Sequence, residues 1–370
     1  MKFLHTADWQ IGMRAAHVGG VAARVRDERL AAARRVVDVA RHHQVEFLLL
    51  AGDTFEDNRV DRRLVQTVAD TLAGFGGPVY LLPGNHDPLV PGSVWEHGSW
   101  SAYEDLHVIE KAEPIDLLGG RLYPCPVFEK HSSEDPTRWI EAVDDGSIAI
   151  GVAHGSVEGI PQERPELPIP RDAAARHGLD YLALGHWHST VTYDGHMAYS
   201  GAHEPTKFDE RDSGNVLLVE IAGRGAAPRL TPIRTGGLTW TSLDEEVRAE
   251  GDLGRARQRI EAIDSPDRTL LDLCLRGVLH AVEQPELVRI EELAAARFLF
   301  HRIDASRLLP GAEDDRWLAD LPQGPLRETA RRLQSWAGAE PVEGRPDCAT
   351  PEVAARALVE LYAMSVGGPR

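Results

Sequence analysis

Short apolar runs alternate with amphipathic helical segments through residues 1–236 of this chain of 370 residues. The apolar runs have the length of buried strands, and they are Lys2–Ala7, Val45–Ala51, Val79–Leu82, Ile148–Ala153 and Tyr181–Leu184. Between them, Val21–His43 and Val60–Ala73 repeat apolar residues with a helical period and carry charged residues on the opposite face. This alternation predicts a layered α/β fold in which helices pack on sheets.

Two further β-rich stretches, Leu122–Val127 and Asn215–Ile221, predict a second sheet in the same domain. After Gly236 the predicted order becomes strand, helix, strand, helix, strand. These segments are Thr239–Val247, Leu253–Ile263, Thr269–Leu279, Gln284–Ala296 and Leu299–Ile303. The order predicts a small α+β domain over residues 237–310, which is within the usual size range of domains.

Residues 311–370 are predicted to be a helical segment. Pro325–Ala337 and Pro351–Met364 are amphipathic, and the loop between them is rich in proline and glycine. Two helices of this length bury little apolar surface by themselves, so we expect them to dock on another surface. The pattern is compatible both with ordinary surface helices and with helices that bind a partner protein.

The composition is typical of a globular protein in a reducing compartment. Apolar residues make up 42% of the chain, and no run reaches the ~18 apolar residues of a membrane helix. The three cysteines, Cys125, Cys274 and Cys348, have no paired spacing, which argues against disulfides and against a thiolate zinc site. The N-terminus has no signal-peptide pattern. We therefore expect a cytoplasmic protein without membrane contact.

The formal net charge of −18 restricts how the chain can bind nucleic acid. Proteins that hold DNA alone usually present a basic surface that displaces counterions from the phosphates. Bound divalent cations would reverse the field of a carboxylate-rich site, and a basic partner could supply further phosphate contacts. The acidity therefore argues against unaided DNA binding but not against metal binding.

Polar motifs follow five of the predicted strands. They are Asp8-Trp9-Gln10, Gly52-Asp53, Gly84-Asn85-His86-Asp87, His154-Gly155 and Gly185-His186-Trp187-His188. Strand ends and the loops that follow them form catalytic clefts in α/β proteins. Oxygen and imidazole donors without thiolates favour Mn, Fe or Zn in a catalytic site. The series predicts two metal ions bridged by Asp53, an arrangement suited to in-line displacement at a phosphoester.

These motifs resemble those of the calcineurin-like metallophosphoesterases, and most closely those of the SbcD-type nuclease subunit of bacterial SbcCD complexes. The resemblance rests on His5-Thr6-Ala7-Asp8-Trp9, Gly52-Asp53-Thr54-Phe55, Gly84-Asn85-His86-Asp87, Gly185-His186-Trp187-His188, and Tyr199-Ser200-Gly201 with Glu204-Pro205. It covers residues 1–236 and extends more loosely through the small domain, which looks like the family's DNA-capping domain. It implies a four-layer α/β core with sheets between helices, a small α+β cap and C-terminal helices.

The resemblance also implies a role for each motif residue. The first metal ion would be held by Asp8, Asp53 and His188. The second metal ion would be held by Asp53, Asn85, His154 and His186. His86 would lie beside the scissile phosphate and stabilise the transition state or protonate the leaving oxygen, and a structural role for His86 is the alternative. Mn²⁺ is the ion implied by the family, with Mg²⁺, Fe²⁺ and Zn²⁺ as alternatives.

Position 10 departs from the family pattern. Gln10 stands where the family usually has a histidine that completes the first metal site. A glutamine coordinates through its amide oxygen, which is a weaker and harder donor than imidazole. Gln10 is therefore either a weak metal ligand that favours Mn²⁺ or Mg²⁺, or a hydrogen-bond donor that orients a metal ligand without binding the metal itself.

The implied function is a Mn²⁺-dependent DNA nuclease, acting as an exonuclease, an endonuclease or both in a DNA repair or end-processing complex. The implied partners are DNA and an SMC-like ABC ATPase with a long coiled coil, and a second copy of the chain is a further candidate. One alternative is a phosphodiesterase for small nucleotides or other phosphoesters, against which the cap and the C-terminal helices argue. Another is a weakly active scaffold for a DNA-bound ATPase, against which the otherwise intact ligand set argues.

Overall fold

The computed structural model describes residues 1–159, 166–310, 316–338, 342, 344–346 and 348–366. The chain divides into two compact units, Met1–Thr239 and Trp240–Arg370. The second unit thus contains both the predicted α+β segment and the predicted C-terminal helices. Within the described ranges, no helix is both long enough and apolar enough to cross a membrane.

The first unit is built on two six-stranded sheets. The strands of the first sheet are β1 (Lys2–Thr6), β2 (Phe47–Leu50), β3 (Val79–Leu81), β4 (Leu106–Val108), β13 (Asn215–Glu220) and β14 (Arg229–Arg234). Their order across the sheet is β14-β13-β1-β2-β3-β4. Strands β1 to β4 are parallel, whereas β13 pairs antiparallel with β1, and β14 pairs antiparallel with β13. The loops that follow β1, β2 and β3 therefore leave the sheet at the same edge.

The second sheet repeats this arrangement with its own parallel centre. Its strands are β5 (Ile115–Leu117), β6 (Gly120–Cys125), β7 (Ile148–His154), β10 (Tyr181–Gly185), β11 (Val191–Tyr193) and β12 (Met197–Tyr199), and a separate pair is formed by β8 (Ser156–Val157) and β9 (Pro168–Ile169). The order is β11-β12-β10-β7-β6-β5. Strands β6, β7, β10 and β12 are parallel, so the ends of β7 and β10 also lie side by side.

Three apolar cores separate four layers in the first unit. The helices of this unit are α1 (Ala22–His42), α2 (Arg62–Ala73) and α3 (Ala173–Arg176). Successive residues of a strand point to opposite faces: Leu48 of β2 packs with Val36 of α1, whereas Leu49 packs with Ile150 of the second sheet. On the outer face of the second sheet, Leu182 packs in the core that includes α3. The layered α/β fold predicted from the sequence is therefore present.

One strand lies in a different sheet from the one predicted. The stretch beginning at Asn215 forms β13 of the first sheet, where Leu218 lies opposite Leu4 of β1. Both faces of β13 are buried, because Leu218 packs in the helix-side core and Leu217 packs in the core between the sheets. An apolar run buried on both faces does not reveal which of two facing sheets it joins, and the prediction of a second-sheet strand was wrong for this reason.

The second unit begins with the predicted order of elements. They are β15 (Thr239–Val247), α4 (Asp252–Glu261), β16 (Thr269–Leu279), α5 (Gln284–Arg297) and β17 (Phe300–Pro310). The sheet order is β15-β16-β17, and β16 is parallel to β17. A core that includes Ile260, Leu273 and Ile290 packs both helices against the sheet.

The C-terminal helices pack within the second unit. They are α6 (Arg316–Asp320), α7 (Pro325–Ala337) and α8 (Pro351–Val366). Helices α7 and α8 lie against each other, and α8 also contacts β16. Arg248, which follows β15, pairs with Glu360 of α8 at 3.4 Å. The surface on which these helices dock therefore includes the α+β segment of the same unit.

Gly277 is required for the packing of β16 on its neighbour. It has a φ of 115°, and a Cβ atom there would overlap the carbonyl oxygen of Val247. We expect Gly277→Ala to lower the free energy of unfolding by about 1–3 kcal/mol, the usual cost of such backbone strain. Urea unfolding followed by circular dichroism measures this change.

The matched control is Gly254 of α4, where a Cβ atom would meet open space. Gly254→Ala should raise the free energy of unfolding by about 0.5–1 kcal/mol, because alanine loses less backbone entropy in a helix. Equal stabilities for the two alanine variants would contradict the packing argument.

Candidate metal centre

Five predicted site residues lie together where strands of both sheets end. They belong to the motifs after β1, β2, β3, β7 and β10, and they are Asp8, Asp53, Asn85, His154 and His186. The carboxylates of Asp8 and Asp53 and the ring of His154 each offer one ligand atom, and these atoms lie within 4.8 Å of one another. All but His186 are buried. The two sheets thus bring together donors that are far apart in the chain.

Acceptor atoms face one another at the centre of this cluster. His154 Nδ1 lies 2.9 Å from the carbonyl oxygen of Ala51, which can only accept, so Nδ1 carries the proton. The other ring nitrogen, Nε2, then faces Asn85 Oδ1 at 2.8 Å and Asp53 Oδ2 at 3.4 Å. Lone pairs this close repel unless a proton or a cation lies among them. The donor set therefore fits a divalent cation bound by nitrogen and oxygen.

The orientation of the Asn85 amide supports this geometry. Asn85 Nδ2 donates to Glu166 Oε2 at 3.3 Å, so the amide oxygen is the atom turned toward the two histidines. His186 Nδ1 lies 3.2 Å from the same Asn85 oxygen. The main-chain N–H of His186 donates to both carboxylate oxygens of Asp8, at 3.0 and 3.1 Å. These contacts hold the side chains in place around a common centre.

Charge interactions among these groups shift their pKa values in opposite directions. Burial would raise the pKa of Asp53, but the charge and hydrogen bond of His154 outweigh it and lower that pKa. Burial would lower the pKa of His154, but the Asp53 carboxylate raises it. Burial, together with the His154 charge, lowers the pKa of His186 to about 3. His186 is thus a neutral imidazole, and a metal ion would replace the proton that His154 shares with Asp53.

Several motif residues have strained backbones. The φ angle is 54° at Asp8, 41° at Gln10, 53° at Asp53 and 104° at His186. Residues other than glycine rarely have positive φ, and each such residue costs on the order of 1–3 kcal/mol. Strain of this kind persists where the surrounding structure enforces it, as is common in ligand-binding sites. The positive φ angle turns the chain sharply at the end of the strand.

Three glycines allow the strand ends to approach one another. A Cβ atom on Gly52 would overlap the ring of His154, and one on Gly185 would overlap the carbonyl oxygen of Ala51. A Cβ atom on Gly84 would overlap the carboxylate of Asp53. The glycines of the motifs are therefore explained by close contact between loops and not only by turn conformation.

The remaining predicted residues adjoin this cluster in different ways. Burial raises the pKa of the Asp8 carboxyl. His188 lies close enough to Asp8 for its charge to oppose this rise in part. The main-chain N–H of Gln10 donates to Asp53 O at 2.9 Å. Within the part of the chain that the structure describes, the Gln10 side chain has no hydrogen bond. The main-chain N–H of His86 donates to Asp53 Oδ1 at 2.9 Å.

The His86 ring is fixed by a second contact. Its Nδ1 lies 2.9 Å from the carbonyl oxygen of Glu56, so Nδ1 carries a proton. The other nitrogen, Nε2, is therefore the ring atom that can gain or lose a proton during a reaction. This arrangement is compatible with the predicted catalytic role of His86.

Three polar residues that support the site were not predicted to do so. Asp87 accepts from the main-chain N–H groups of Gly84 and Phe55, each at 2.8 Å, and thereby joins two motif loops. Glu210 lies 2.5 Å from His188 Nδ1. Arg29 of α1 is buried and donates to the carbonyl oxygens of Asp8 and Trp9. Asp87 lies inside a recognised motif, but nothing in the sequence links Glu210 or Arg29 to the site.

The chain has measurable similarity to known proteins. The model of a family described as calcineurin-like phosphoesterase matches residues 1–190. The chain is 28% identical over 351 residues to an uncharacterized metallophosphoesterase, YhaO, of Bacillus subtilis, covering 90% of this chain and 77% of that protein.

Two solved structures are also similar. The protein TT1561 of Thermus thermophilus has a TM-score of 0.42 and 12% identity, over 63% of this chain and 98% of that one. A dimetal phosphatase from Danio rerio has a TM-score of 0.37 and 12% identity, over 64% of this chain and 99% of that one.

The chain belongs to the calcineurin-like phosphoesterase family. The family is dependent on a dinuclear metal centre and hydrolyses phosphoesters. The cluster of Asp8, Asp53 and His154 is the candidate metal site of this member.

A methyl group at position 84 should disturb the centre selectively. Gly84→Ala would force a Cβ atom against the Asp53 carboxylate, so we expect weaker metal binding and activity at least ~10-fold lower, as for other disturbed metal ligands. Gly98→Ala is the control, because a Cβ atom there meets open space. Metal titration by isothermal calorimetry measures the effect, and parent-like affinity in Gly84→Ala would refute the predicted overlap.

Proposed function

We propose that the chain is a metal-dependent DNA nuclease, the hydrolytic subunit of an SbcCD-like complex with an SMC-like ABC ATPase. The observation that carries the hydrolytic part is the convergence of Asp53 Oδ2, Asn85 Oδ1 and His154 Nε2, three atoms that can each bind a cation. The nucleic-acid part is supported by the SbcD-like motifs and by a cleft that contains Arg14 and Arg59.

The residues at the strand ends fit two divalent ions. The first ion would be held by Asp8, Asp53 and His188, with Gln10 as a further candidate. The second ion would be held by Asp53, Asn85, His154 and His186. Mn²⁺ is the proposed metal. When bound, such ions supply an activated water and neutralise charge on the attacking and leaving oxygens.

His86 is the proposed proton-transfer residue. The Glu56 carbonyl oxygen holds its Nδ1–H, and its main-chain N–H is tied to Asp53. The ring is therefore held beside the candidate metal centre, and Nε2 carries the exchangeable proton. A protonated Nε2 would stabilise charge on the phosphate or donate to the leaving oxygen, as general acids do.

A cleft next to His86 supports a polyanionic substrate. It has a volume of about 530 Å³, and its charged lining residues are two arginines and two carboxylates, Arg14, Arg59, Glu56 and Asp57. Both arginines are exposed, and neither forms an ion pair with a residue in the described ranges. Arginine is well suited to phosphate. We infer that this cleft receives the backbone of a nucleic-acid strand.

A small nucleotide is a weaker candidate for the substrate. The likeness to YhaO covers 90% of this chain, so it continues beyond residues 1–190 and includes much of the second unit. A protein that hydrolysed only small phosphoesters would have no evident need of a second unit of this size. We propose instead that the second unit contacts DNA and the ATPase, with a second copy of the chain as a further partner.

Two substitutions separate metal binding from chemistry. Asp53→Ala removes the carboxylate that touches both proposed sites, so we expect loss of bound metal and of DNA cleavage. His86→Ala should retain its metal and lose activity by roughly 10²–10⁴-fold, because it removes only proton transfer. The measurements are metal content by mass spectrometry and Mn²⁺-dependent cleavage of linear and single-stranded DNA.

His42→Ala is the control, because His42 is exposed at the end of α1, away from the strand-end motifs. It should behave like the parent. DNA cleavage at the parent rate by Asp53→Ala would show that the proposed centre is wrong. Loss of metal from His86→Ala would reassign His86 as a ligand.

The role of this cleft can be tested with two substrates. A double variant, Arg14→Ala with Arg59→Ala, should raise the KM for single-stranded DNA and flatten its salt dependence, because two phosphate contacts are lost. Hydrolysis of the small phosphodiester bis(p-nitrophenyl) phosphate should stay unchanged. Arg63→Ala, at an exposed position on α2, serves as the control. An equal loss on both substrates would contradict a role in binding the strand.

A further inference from the structure

We propose that Glu210 and Glu166 are positioning residues, each of which orients one metal ligand, and that they act on different ions. Glu210 orients the imidazole of His188 for the first ion, and Glu166 orients the amide of Asn85 for the second. The inference rests on the metal centre of the proposed function.

Glu210 is held by several donors at once. Its Oε1 lies 2.5 Å from His188 Nδ1 and also accepts from the hydroxyl group of Thr206. Its Oε2 accepts from the main-chain N–H of Thr206 at 2.7 Å and from Ser213 Oγ at 3.3 Å. The side chain is 2% exposed. These contacts fix the carboxylate and leave it no freedom to turn toward a metal ion itself.

The fixed carboxylate decides which nitrogen of His188 is a ligand. A carboxylate accepts hydrogen bonds, so His188 Nδ1 carries the proton and Nε2 keeps its lone pair. Hydrogen bonding of this kind fixes both the tautomer and the plane of a metal-binding imidazole, and it increases the basicity of the ligand. Without Glu210, the ring could rotate and exchange tautomers. The first ion would then lose a pre-oriented donor.

Glu166 has the corresponding role for an amide. Asn85 Nδ2 donates to Glu166 Oε2 at 3.3 Å, and the other oxygen of Glu166 lies 2.7 Å from His131 Nδ1. An amide can turn over and exchange its oxygen for its NH₂ group. In the turned-over state, the NH₂ group would face His154 Nε2 and would compete with a cation. Glu166 prevents this, because a carboxylate can pair only with the NH₂ end.

The two carboxylates act on separate parts of the centre. Glu210 touches His188, which lies near Asp8, whereas Glu166 touches Asn85, which lies against His154 and His186. No hydrogen bond or ion pair links Glu210 with Glu166 among the described residues. Removal of either carboxylate should therefore weaken the binding of one ion only, whereas removal of the shared ligand Asp53 should weaken the binding of both ions.

The test measures Mn²⁺ binding and not hydrolysis. Apo protein is titrated with Mn²⁺ by calorimetry, and electron paramagnetic resonance distinguishes one isolated ion from two magnetically coupled ions. We expect Glu210→Ala and Glu166→Ala each to bind one ion with parent affinity and the other about 10–100-fold more weakly. At limiting Mn²⁺, both variants should show an isolated-ion signal where the parent shows the coupled signal.

Conservative variants and neighbouring carboxylates supply the controls. Glu210→Gln and Glu166→Gln keep an acceptor oxygen, so they should recover most of the lost affinity and the coupled signal. Asp209→Ala and Glu134→Ala remove exposed carboxylates whose ion pairs within the described ranges are with Lys207 and Arg138, respectively, and they should match the parent. Melting of each variant in EDTA confirms that it is folded.

The double variant, Glu210→Ala with Glu166→Ala, should bind both ions more weakly than the parent. Parent-like binding by both single alanine variants would overturn the inference, as would loss of both ions from either folded single variant. Failure of the parent itself to bind two Mn²⁺ ions would instead overturn the proposed metal centre. The two failures are thus distinguished in one set of titrations.

Discussion

The contact between the Ala51 carbonyl oxygen and His154 Nδ1 joins the ends of the two sheets, and the rest of the site depends on it. Ala51 follows the second strand of the first sheet, whereas His154 ends a strand of the second. The hydrogen bond sets the tautomer of His154 and thereby aims Nε2 at Asn85 and Asp53. Side chains at positions 52 and 185 would block this approach, so glycine at both is a structural condition for the metal centre.

The strained loops around this contact are stabilised by buried polar groups. Asp87 accepts from the main chain of two motif loops, and burial raises its pKa to about 7. Arg29 donates to the carbonyl oxygens of Asp8 and Trp9 and, at 2.8 Å, to that of Glu204. A buried charge is costly unless its hydrogen bonds are satisfied. Each of these residues therefore stabilises one loop conformation and opposes the alternatives.

The sequence predicted the centre of the site better than its surroundings. Asp8, Asp53 and Asn85 each follow a short apolar run, and parallel strands necessarily bring such positions to one edge. Glu210 and Arg29 could not be found in this way, because a carboxylate in a loop and an arginine in a helix have no pattern that distinguishes them from solvated charges. Their roles follow only from tertiary contacts.

The fold shows the same division between local and tertiary information. The alternating elements and the strand–helix order of the second unit follow from local periodicity, which the sequence records directly. The sheet to which β13 belongs does not follow from local periodicity. Both faces of this strand are buried, so either sheet would cover its apolar side chains. Its antiparallel pairing with β1 is decided by how the chain returns after β12, which no local pattern encodes.

The backbone and the side chain of Gln10 have different roles. Its main-chain N–H donates to Asp53 O, and the next residue, Ile11, donates to Thr54 O at 3.0 Å, so the loop is fixed whatever side chain stands at position 10. The residue is only 7% exposed, and its side-chain amide has no hydrogen bond in the described part of the chain. A largely enclosed amide without a protein partner is suited to a cation or a water molecule. Because its donor atom is oxygen, it would favour Mn²⁺ or Mg²⁺ over the later first-row ions that a histidine would attract.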